Sequence, residues 1–269
     1  MRLETEKKLN NQFMKITTIF ILFFVSNILY SQNKGTFVDL RDGKEYKWVK
    51  IGKQVWMAEN LAYLPSVYSP FDKQTHAYKN QKWDMKTLDT PYQFVLGYDG
   101  NDVDEAKATI YYKRYGILYN YASALRSCPT GWHLPSDSEW KELEIFVGIK
   151  KDIVELMGQK RGNVGDKLKS KQFWNGKAKG TDDYGFCAIP SGVIFQDKDY
   201  IRGAEFYGEG EVVSFWTSDE HETFVGKIAA IMRSLNNNES SLLPPDNKYI
   251  IRSPIMKCFG LSVRCIKDE

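Results

Sequence analysis

The sequence lacks the short patterns by which many enzymes are recognised. It contains no G-x-S-x-G, no H-E-x-x-H, no P-loop and no G-x-G-x-x-G after a strand-forming segment. It has only three histidines, and its four cysteines include no C-x2-C pair, so a zinc site is disfavoured. We therefore predict a non-enzymatic protein without a metal cofactor.

A strong excess of basic charge is also missing. The chain has 37 basic and 34 acidic side chains, a net charge of +3, and no basic run. Nucleic-acid binding depends on a concentrated basic field, so a nucleic-acid partner is not expected. The length of 269 residues and the aromatic content of 14% suit one large domain or two small ones.

Long apolar runs are absent except for one segment near the N-terminus. Residues 16–29, ITTIFILFFVSNIL, would rise about 21 Å as a helix, less than the roughly 30 Å hydrocarbon core. The run follows Met14-Lys15 and precedes a small residue, Ser31. We predict that residues 1–31 contain a signal peptide starting at Met14, with an uncleaved anchor as the alternative. The mature chain would be exported to the periplasm, the outer surface or the medium, with no membrane span.

The four cysteines all follow this predicted signal. An even number of cysteines in an exported chain favours disulfides, because the compartment is oxidising. Four cysteines allow three pairings, and spacing alone does not choose among them.

The first part of the exported region is predicted to be a β-hairpin. Residues 36–63 contain the β-formers Tyr46 and Trp48, with turn residues before them at 41–44 and after them at 52–53. From residue 65 to about 107 the chain shows no sustained periodicity. Its acidic part, residues 99–105, resembles a calcium loop but departs from the pattern at Val103, so an Asx-rich turn is preferred over calcium.

A capped amphipathic helix is predicted after residue 135. Ser136 and Glu139 match a capping box, and Gly148 stands where the helix should stop. An apolar face is formed by Trp140, Leu143 and Val147. His133 precedes the helix, and we expect it to be buried and hydrogen-bonded to backbone, with a general base as the alternative.

The second half is β-rich and punctuated by glycine. Strand-forming segments occur at residues 185–192, 212–218, 224–235 and 259–265. The last shows strict alternation, which predicts one core-facing set of side chains: Phe259, Leu261, Val263 and Cys265.

Seven segments in order resemble one known domain family, the Fibrobacter succinogenes major paralogous domain. They are KIGKQVWMAENLAY (50–63), YGILYNYASAL (115–125), CPTGWHLPSDSEW (128–140), KLKS and FWNG (within 167–176), GTDDYGFCAIPSG (180–192), FWTSDE (215–220) and FGLSVRC (259–265). The resemblance spans residues 36–267 and places a variable insert at about 65–109. Residues 91–109 resemble part of this variable insert. The resemblance favours an Asx-rich turn over a calcium loop for the acidic stretch.

The resemblance implies an α+β, C-type-lectin-like fold with two short helices, antiparallel strands and long loops. It also implies a disulfide between Cys128 and Cys265, worth about 4–5 kcal/mol in the chain-entropy model. Cys187 and Cys258 stand where the family usually has serine and an aromatic residue, so we expect these two to form a second disulfide.

The function expected from this fold is a binding or surface-interaction module with an unknown ligand, either a glycan or a surface protein. The calcium-dependent sugar signatures Glu-Pro-Asn, Gln-Pro-Asp and Trp-Asn-Asp are absent. The candidate ligand-binding residues lie in two loops: Asp197, Asp199, Tyr200, Arg202, Tyr207, Asn236, Asn237 and Asn238.

Two alternatives remain at this point. The formylglycine-generating, sulfatase-modifying family is distantly similar, shares the lectin-like fold, and uses a close cysteine pair with copper. Cys258 and Cys265 are more widely spaced than that pair. The other alternative is a purely structural cell-surface component.

Overall fold

Strands and short helices are interspersed along the chain, which confirms the α+β class. The computed structural model describes residues 33–76, 78–79, 82–158, 160–176, 179–196, 204–237 and 248–269. The predicted signal peptide, residues 1–31, lies outside this described part. Among the described residues, no helix is both long and apolar enough to cross a membrane.

Fifteen strands and five α-helices are defined in the described part of the chain. The strands are β1 Lys34–Val38, β2 Glu45–Ile51, β3 Gln54–Met57, β4 Tyr78–Lys79, β5 Lys82–Trp83, β6 Gln93–Phe94, β7 Leu118–Tyr119, β8 Trp132–His133, β9 Lys160–Arg161, β10 Ser191–Gln196, β11 Ala204–Glu209, β12 Val212–Thr223, β13 Gly226–Asn236, β14 Ile250–Met256 and β15 Ile266–Lys267. The helices are α1 Met85–Asp89, α2 Val103–Ala108, α3 Ile110–Tyr115, α4 Tyr121–Ala124 and α5 Asp137–Val147. Two 3-10 turns occupy Lys73–Thr75 and Gly165–Lys167.

Two larger sheets organise these strands. The first has the order β1-β2-β3-β15-β8, and the predicted N-terminal hairpin forms its first three strands. Its turns use Gly43 and Gly52 at positive φ, a conformation that glycine adopts without steric cost. The second sheet has the order β11-β10-β12-β13-β14-β9, in which β10 and β12 are parallel and the other pairs antiparallel.

The expectation of two helices was wrong, because five are present in the described residues. Helix α5 has the predicted capping box at Ser136 and Glu139 and ends at Gly148 in the left-handed conformation. The additional helices α1 to α4 have four to six residues each. Helices as short as α1 to α3 do not show an apolar periodicity, so the sequence did not predict them, whereas α4 lies in the segment before Cys128 where a short helix is expected.

The acidic stretch at residues 99–105 acts as a helix cap. Oδ1 of Asp102 accepts hydrogen bonds from the backbone N–H groups of Asp104 at 2.8 Å and Glu105 at 3.0 Å. This is the arrangement expected of an Asx-rich helix start. Among the residues that the structure describes, no group of three His, Cys, Asp or Glu side chains could hold a metal ion.

The C-terminal segment is buried on both sides. The N–H groups of Met57 and Leu61 donate to the carbonyls of Cys265 and Val263, while the N–H of Ser262 donates to Ser214 O at 2.9 Å in the second sheet. Ser262 and Arg264 are therefore as buried as the alternating set predicted for the core. Leu261, Val263 and Cys265 are buried in the core as predicted, and the residues between them are buried too because the segment lies between hydrogen-bonded partners on either side.

The cysteines form one disulfide. Cys128 and Cys265 are bonded, with their Cα atoms 5.9 Å apart, as the resemblance implied. The expected pairing of Cys187 with Cys258 was wrong, since both are free thiols. Their surroundings differ: the carbonyl of Cys187 accepts from Arg264, and Cys258 packs in a small apolar cluster that includes Leu88.

A buried ionic network joins helix α5 to the second sheet. The carboxylate of Glu144 forms ion pairs with Arg161 Nη2 at 2.7 Å and with Arg233 Nε at 2.6 Å. All three side chains have at most 1% exposure. Asp137 pairs with Arg252 at 2.7 Å. Burial opposes ionisation of Asp137, but hydrogen bonds from Arg252 and its other cationic neighbours hold its pKa well below the usual range. The network places α5 against one face of the sheet and leaves the groove described next on the other.

Candidate functional site

An apolar groove lies on one face of the second sheet, and we call it the sheet groove. Its volume is about 290 Å³. Five consecutive segments supply its lining: Val193 and Phe195 from β10, Tyr207 from β11, Glu211, Val212 and Ser214 around the start of β12, Met232, Ser234 and Asn236 from β13, and Ile251 and Ile255 from β14.

Strand alternation explains why these side chains share one face. Successive residues in a strand point to opposite sides of a sheet, so Met232, Ser234 and Asn236 face the groove together. The residues between them on β13, Arg233 and Leu235, are buried on the other side, where Leu235 joins the second core cluster. The floor of the groove is therefore a regular, hydrogen-bonded strand surface.

Exposed aromatic rings form one rim of the sheet groove. Phe195 and Tyr207 are 36% and 45% exposed, and their ring centroids lie 5.8 Å apart. Phe259 supports Phe195 with an edge-on contact at 5.1 Å. Rings of this kind supply a large contact area while losing little conformational freedom on binding.

The sheet groove is polar where β12 begins and β13 ends. Ser214 Oγ donates to Ser234 Oγ at 3.0 Å, and Ser234 Oγ donates to Asn236 Oδ1 at 3.0 Å. The carbonyl oxygen of Asn236 also accepts a hydrogen bond from Nζ of Lys169. This chain of bonds fixes the end of β13 and orients the Asn236 amide.

Lys169, which holds this end of β13, is itself fully buried. Burial lowers its pKa to about 7, and the more distant negative charge of Asp166 offsets this only in part. Its Nζ atom lies 4.6 Å from the centroid of the Trp174 ring. The lysine therefore titrates near neutrality at a position that supports the polar end of the groove.

The sequence-derived ligand residues are distributed unevenly with respect to this groove. Tyr207 and Asn236 both line it, so the structure brings together one residue from each predicted loop. Asn237 is only 3% exposed and does not line the groove, and its N–H donates to Glu211 O at 2.6 Å. Five others lie outside the described residues: Asp197, Asp199, Tyr200, Arg202 and Asn238.

Sequence reasoning missed most of the apolar lining, including Phe195, Met232 and Ile251. The signal that could have found them is a continuous apolar run, such as IAAIM at residues 228–232, which is typical of a strand with two apolar faces. An ordinary surface strand would alternate between apolar and polar residues.

The expectation for His133 was wrong. The residue is partly exposed, and its ring bonds to two carboxylates, with Nδ1 2.7 Å from Asp268 and Nε2 2.8 Å from Glu139. Partial burial opposes protonation, but the two carboxylates outweigh it and raise the pKa of His133. Asp268 is 135 positions away, so sequence spacing could not identify it as a partner.

A second, polar pocket of about 420 Å³ lies beside this histidine cluster. Glu139 and Asp268 both line it, together with Lys53, Gln54, Val55, Glu142, Ile266, Lys267 and Glu269. Gln54 Nε2 donates to the Glu139 carbonyl at 3.0 Å, which ties the first sheet to the start of α5. Through His133, the carboxylates of Glu139 and Asp268 connect the start of α5 to the C-terminal segment.

The cysteines do not form the pair that a copper oxidase of the formylglycine-generating type would require. The sulfur of Cys265 is bonded to Cys128. Cys258 is buried, and that burial raises the pKa of its thiol to about 12. A thiol held neutral in this way is a poor metal ligand and a poor nucleophile.

Comparison with known proteins identifies a family. No curated protein and no solved structure is significantly similar to the chain. The lectin-like architecture and the likeness to the sulfatase-modifying family therefore stay predictions. The family model described as the Fibrobacter succinogenes major domain matches residues 49–267. The match covers most of the chain and includes every strand of the second sheet. The chain belongs to the Fibrobacter succinogenes major domain family.

Proposed function

We propose that this protein is an exported, non-enzymatic binding module, and that the sheet groove is its binding site. The partner is another protein, which contributes an apolar or aromatic side chain. The observation that supports this most strongly is the exposed pair Phe195 and Tyr207 above an apolar floor on a rigid sheet.

Energetics favour a side chain of a protein as the occupant. Full burial of one large apolar side chain contributes about 1.5–3 kcal/mol, and the sheet supplies a surface that need not be ordered on binding. Polar groups are confined to one end, where the two serine hydroxyls already bond to each other. The serine hydroxyls fit a peptide backbone or a polar side chain of the partner, next to its inserted apolar side chain.

A glycan is the second candidate ligand, because an aromatic ring beside an amide can stack on a sugar and bond to its hydroxyls. Tyr207 and Asn236 provide these two groups. The apolar floor gives a sugar few hydrogen-bond partners, which is why the protein ligand is preferred.

Export rests on the N-terminal segment and can be tested separately. The chain would be produced in a bacterial host, fractionated, and sequenced from its N-terminus. An exported product that begins at Gln32 supports the proposal, and an unprocessed chain retained in the membrane contradicts it.

The binding site is tested with a displayed peptide library and a glycan array, both probed with the purified full chain. Tyr207→Ser removes a rim ring, and Phe71→Ser is the matched control, because Phe71 is similarly exposed but does not line the groove. Peptide binding that is lost in Tyr207→Ser and kept in Phe71→Ser supports the proposal. Glycan binding with the same pattern assigns the groove to sugars. No binding on either array would favour a purely structural component.

A further inference from the structure

The hairpin that forms the centre of the second sheet carries an apolar tip. Thr223 of β12 pairs with Gly226 of β13, so Phe224 and Val225 form a two-residue turn. Phe224 is fully exposed and Val225 is 48% exposed. Two-residue turns of this kind favour Asn, Asp and Gly, so two large apolar residues at the tip are not explained by turn formation. Their apolar surface is available to a partner.

The charges around the tip indicate the kind of partner. Glu220 and Glu222 lie just before it on β12, and Lys227 follows it on β13. Lys257 and Lys227 approach Glu220 at 2.5 Å and 3.6 Å, so the nearby lysines are engaged with a carboxylate. These acidic groups oppose contact with an anionic lipid surface. An apolar pocket on a protein is the better match.

The same molecule contains such a pocket in the sheet groove. Its volume of about 290 Å³ exceeds the roughly 150 Å³ cavity that is known to hold benzene, so a phenyl ring and a neighbouring valine fit by size. Its lining is apolar, with the rings of Phe195 and Tyr207 at the rim.

The tip does not reach the groove of its own molecule. Val225 is five positions from Ala230, the strand partner of the groove residue Ile255, and at about 3.3 Å per residue this separation is about 17 Å. The intervening strand is held in the sheet by its pairing with β12 and β14. The bulge in β12 is also anchored, because Ser218 N donates to Pro135 O at 2.9 Å. A contact between tip and groove therefore requires two molecules.

We propose that the Phe224-Val225 tip of one molecule docks into the sheet groove of a second copy of this chain. The two surfaces differ, so the contact is head-to-tail and extends into open chains of molecules. The interface is small and its affinity low, but repetition at high local concentration makes the assembly effective. This inference rests on the proposed function of the groove and names its partner.

The test uses two complementary variants of the full chain, purified in the same way from an exporting host. Phe224→Ser removes the tip and leaves the groove. Ile251→Lys places a charged amine in the groove and leaves the tip, and Tyr207→Ser is a second groove variant should the lysine prevent folding. Phe71→Ser is the control for loss of an exposed phenylalanine. Circular dichroism and thermal unfolding establish that each variant is folded.

Association is measured by sedimentation over a concentration series. The wild type and Phe71→Ser should show a mass that keeps rising with concentration beyond that of a dimer. Phe224→Ser and Ile251→Lys alone should each associate at least about tenfold more weakly. An equimolar mixture of the two retains one intact tip and one intact groove per pair, so it should form a complex that stops at one molecule of each.

Three results would overturn the inference. One is a wild type that is monomeric at every concentration, and another is association that Phe224→Ser leaves unchanged. The third is a monomeric protein that binds lipid vesicles through Phe224, which would assign the tip to membranes. Peptide binding by a monomeric wild type that is lost in Ile251→Lys would preserve the proposed function of the groove while rejecting the second copy as its partner.

Discussion

Cys128 and Cys265 are joined by a disulfide although they lie 137 positions apart in the chain. Cys128 follows helix α4, and Cys265 directly precedes β15, whose residue Ile266 pairs with both Trp56 and His133. The bond therefore holds the C-terminal segment in the first sheet, and this segment is the one that also bonds to the second sheet.

We expect removal of this disulfide to destabilise the fold strongly. The double variant Cys128→Ser/Cys265→Ser should lose about 2–5 kcal/mol of unfolding free energy, because the unfolded chain is no longer cross-linked. Urea unfolding measures the loss. Cys187→Ser is the control and should respond to reductant like the wild type, since Cys187 is a free thiol. Equal sensitivity of the double variant and the wild type to reductant would contradict the assignment.

The buried ionic network gives a second prediction. Glu144→Gln should reduce stability by about 3–5 kcal/mol, because Arg161 would stay buried without a carboxylate partner and Arg233 would keep only Asp137. Glu155→Gln is the matched control. Its carboxylate is 67% exposed and bonds to Lys141, so its loss should cost less than about 1 kcal/mol. Similar effects for the two variants would show that the network does not stabilise the fold.

His133 gives a prediction about pH. Since its pKa is raised in the folded state, its contribution to stability is fully present below the unfolded value of 6.5 and is lost as the pH rises through the folded pKa. Glu139 has a lowered pKa, and its contribution is lost in the opposite direction, as the pH falls below about 4.5.

The measurement for His133 is urea unfolding of the wild type and His133→Gln from pH 5 to pH 9. The difference in unfolding free energy should be largest near pH 5 and should shrink as the pH rises through the raised folded pKa of His133. Partial exposure of the ring limits the effect to about 1 kcal/mol or less. A pH-independent difference would mean that His133 acts only through packing.

Lys169 should produce a slope of the opposite sign. Its folded pKa is about 7 and the ordinary pKa of a lysine is 10.5, so between these values the unfolded chain binds more protons than the folded one. Stability attributable to this residue therefore rises with pH over that range. Lys169→Met should remove this rise, which is visible in paired unfolding curves at pH 7 and pH 10. An unchanged slope in the variant would place the pKa of Lys169 near its ordinary value.

Local signals were read correctly where they act over a few residues. The capping box of Ser136 and Glu139, the stop at Gly148 and the turns at Gly43 and Gly52 all appear where the sequence predicts them. The motif series also led to the correct family, which the matched residues 49–267 show.

Contacts between residues far apart in the chain could not be predicted from such local patterns. His133 was expected to bond to backbone, yet Asp268 comes to it from the other end of the chain. Cys187 and Cys258 were paired because both are unusual, although the fold places them in different surroundings. Most of the groove lining was missed because side chains from five segments meet only after the sheet has formed.

The sequence by itself determined the α+β class, the family, the main helix and its caps, and two of the residues that line the groove. Those features depend on contacts between near neighbours or on an ordered series of motifs. The tertiary structure decided which strands lie side by side, which charges are buried together, and where the Phe224-Val225 tip and the sheet groove lie. Strand order brings distant segments into contact, and that order depends on the packing free energy of the whole core rather than on any local pattern.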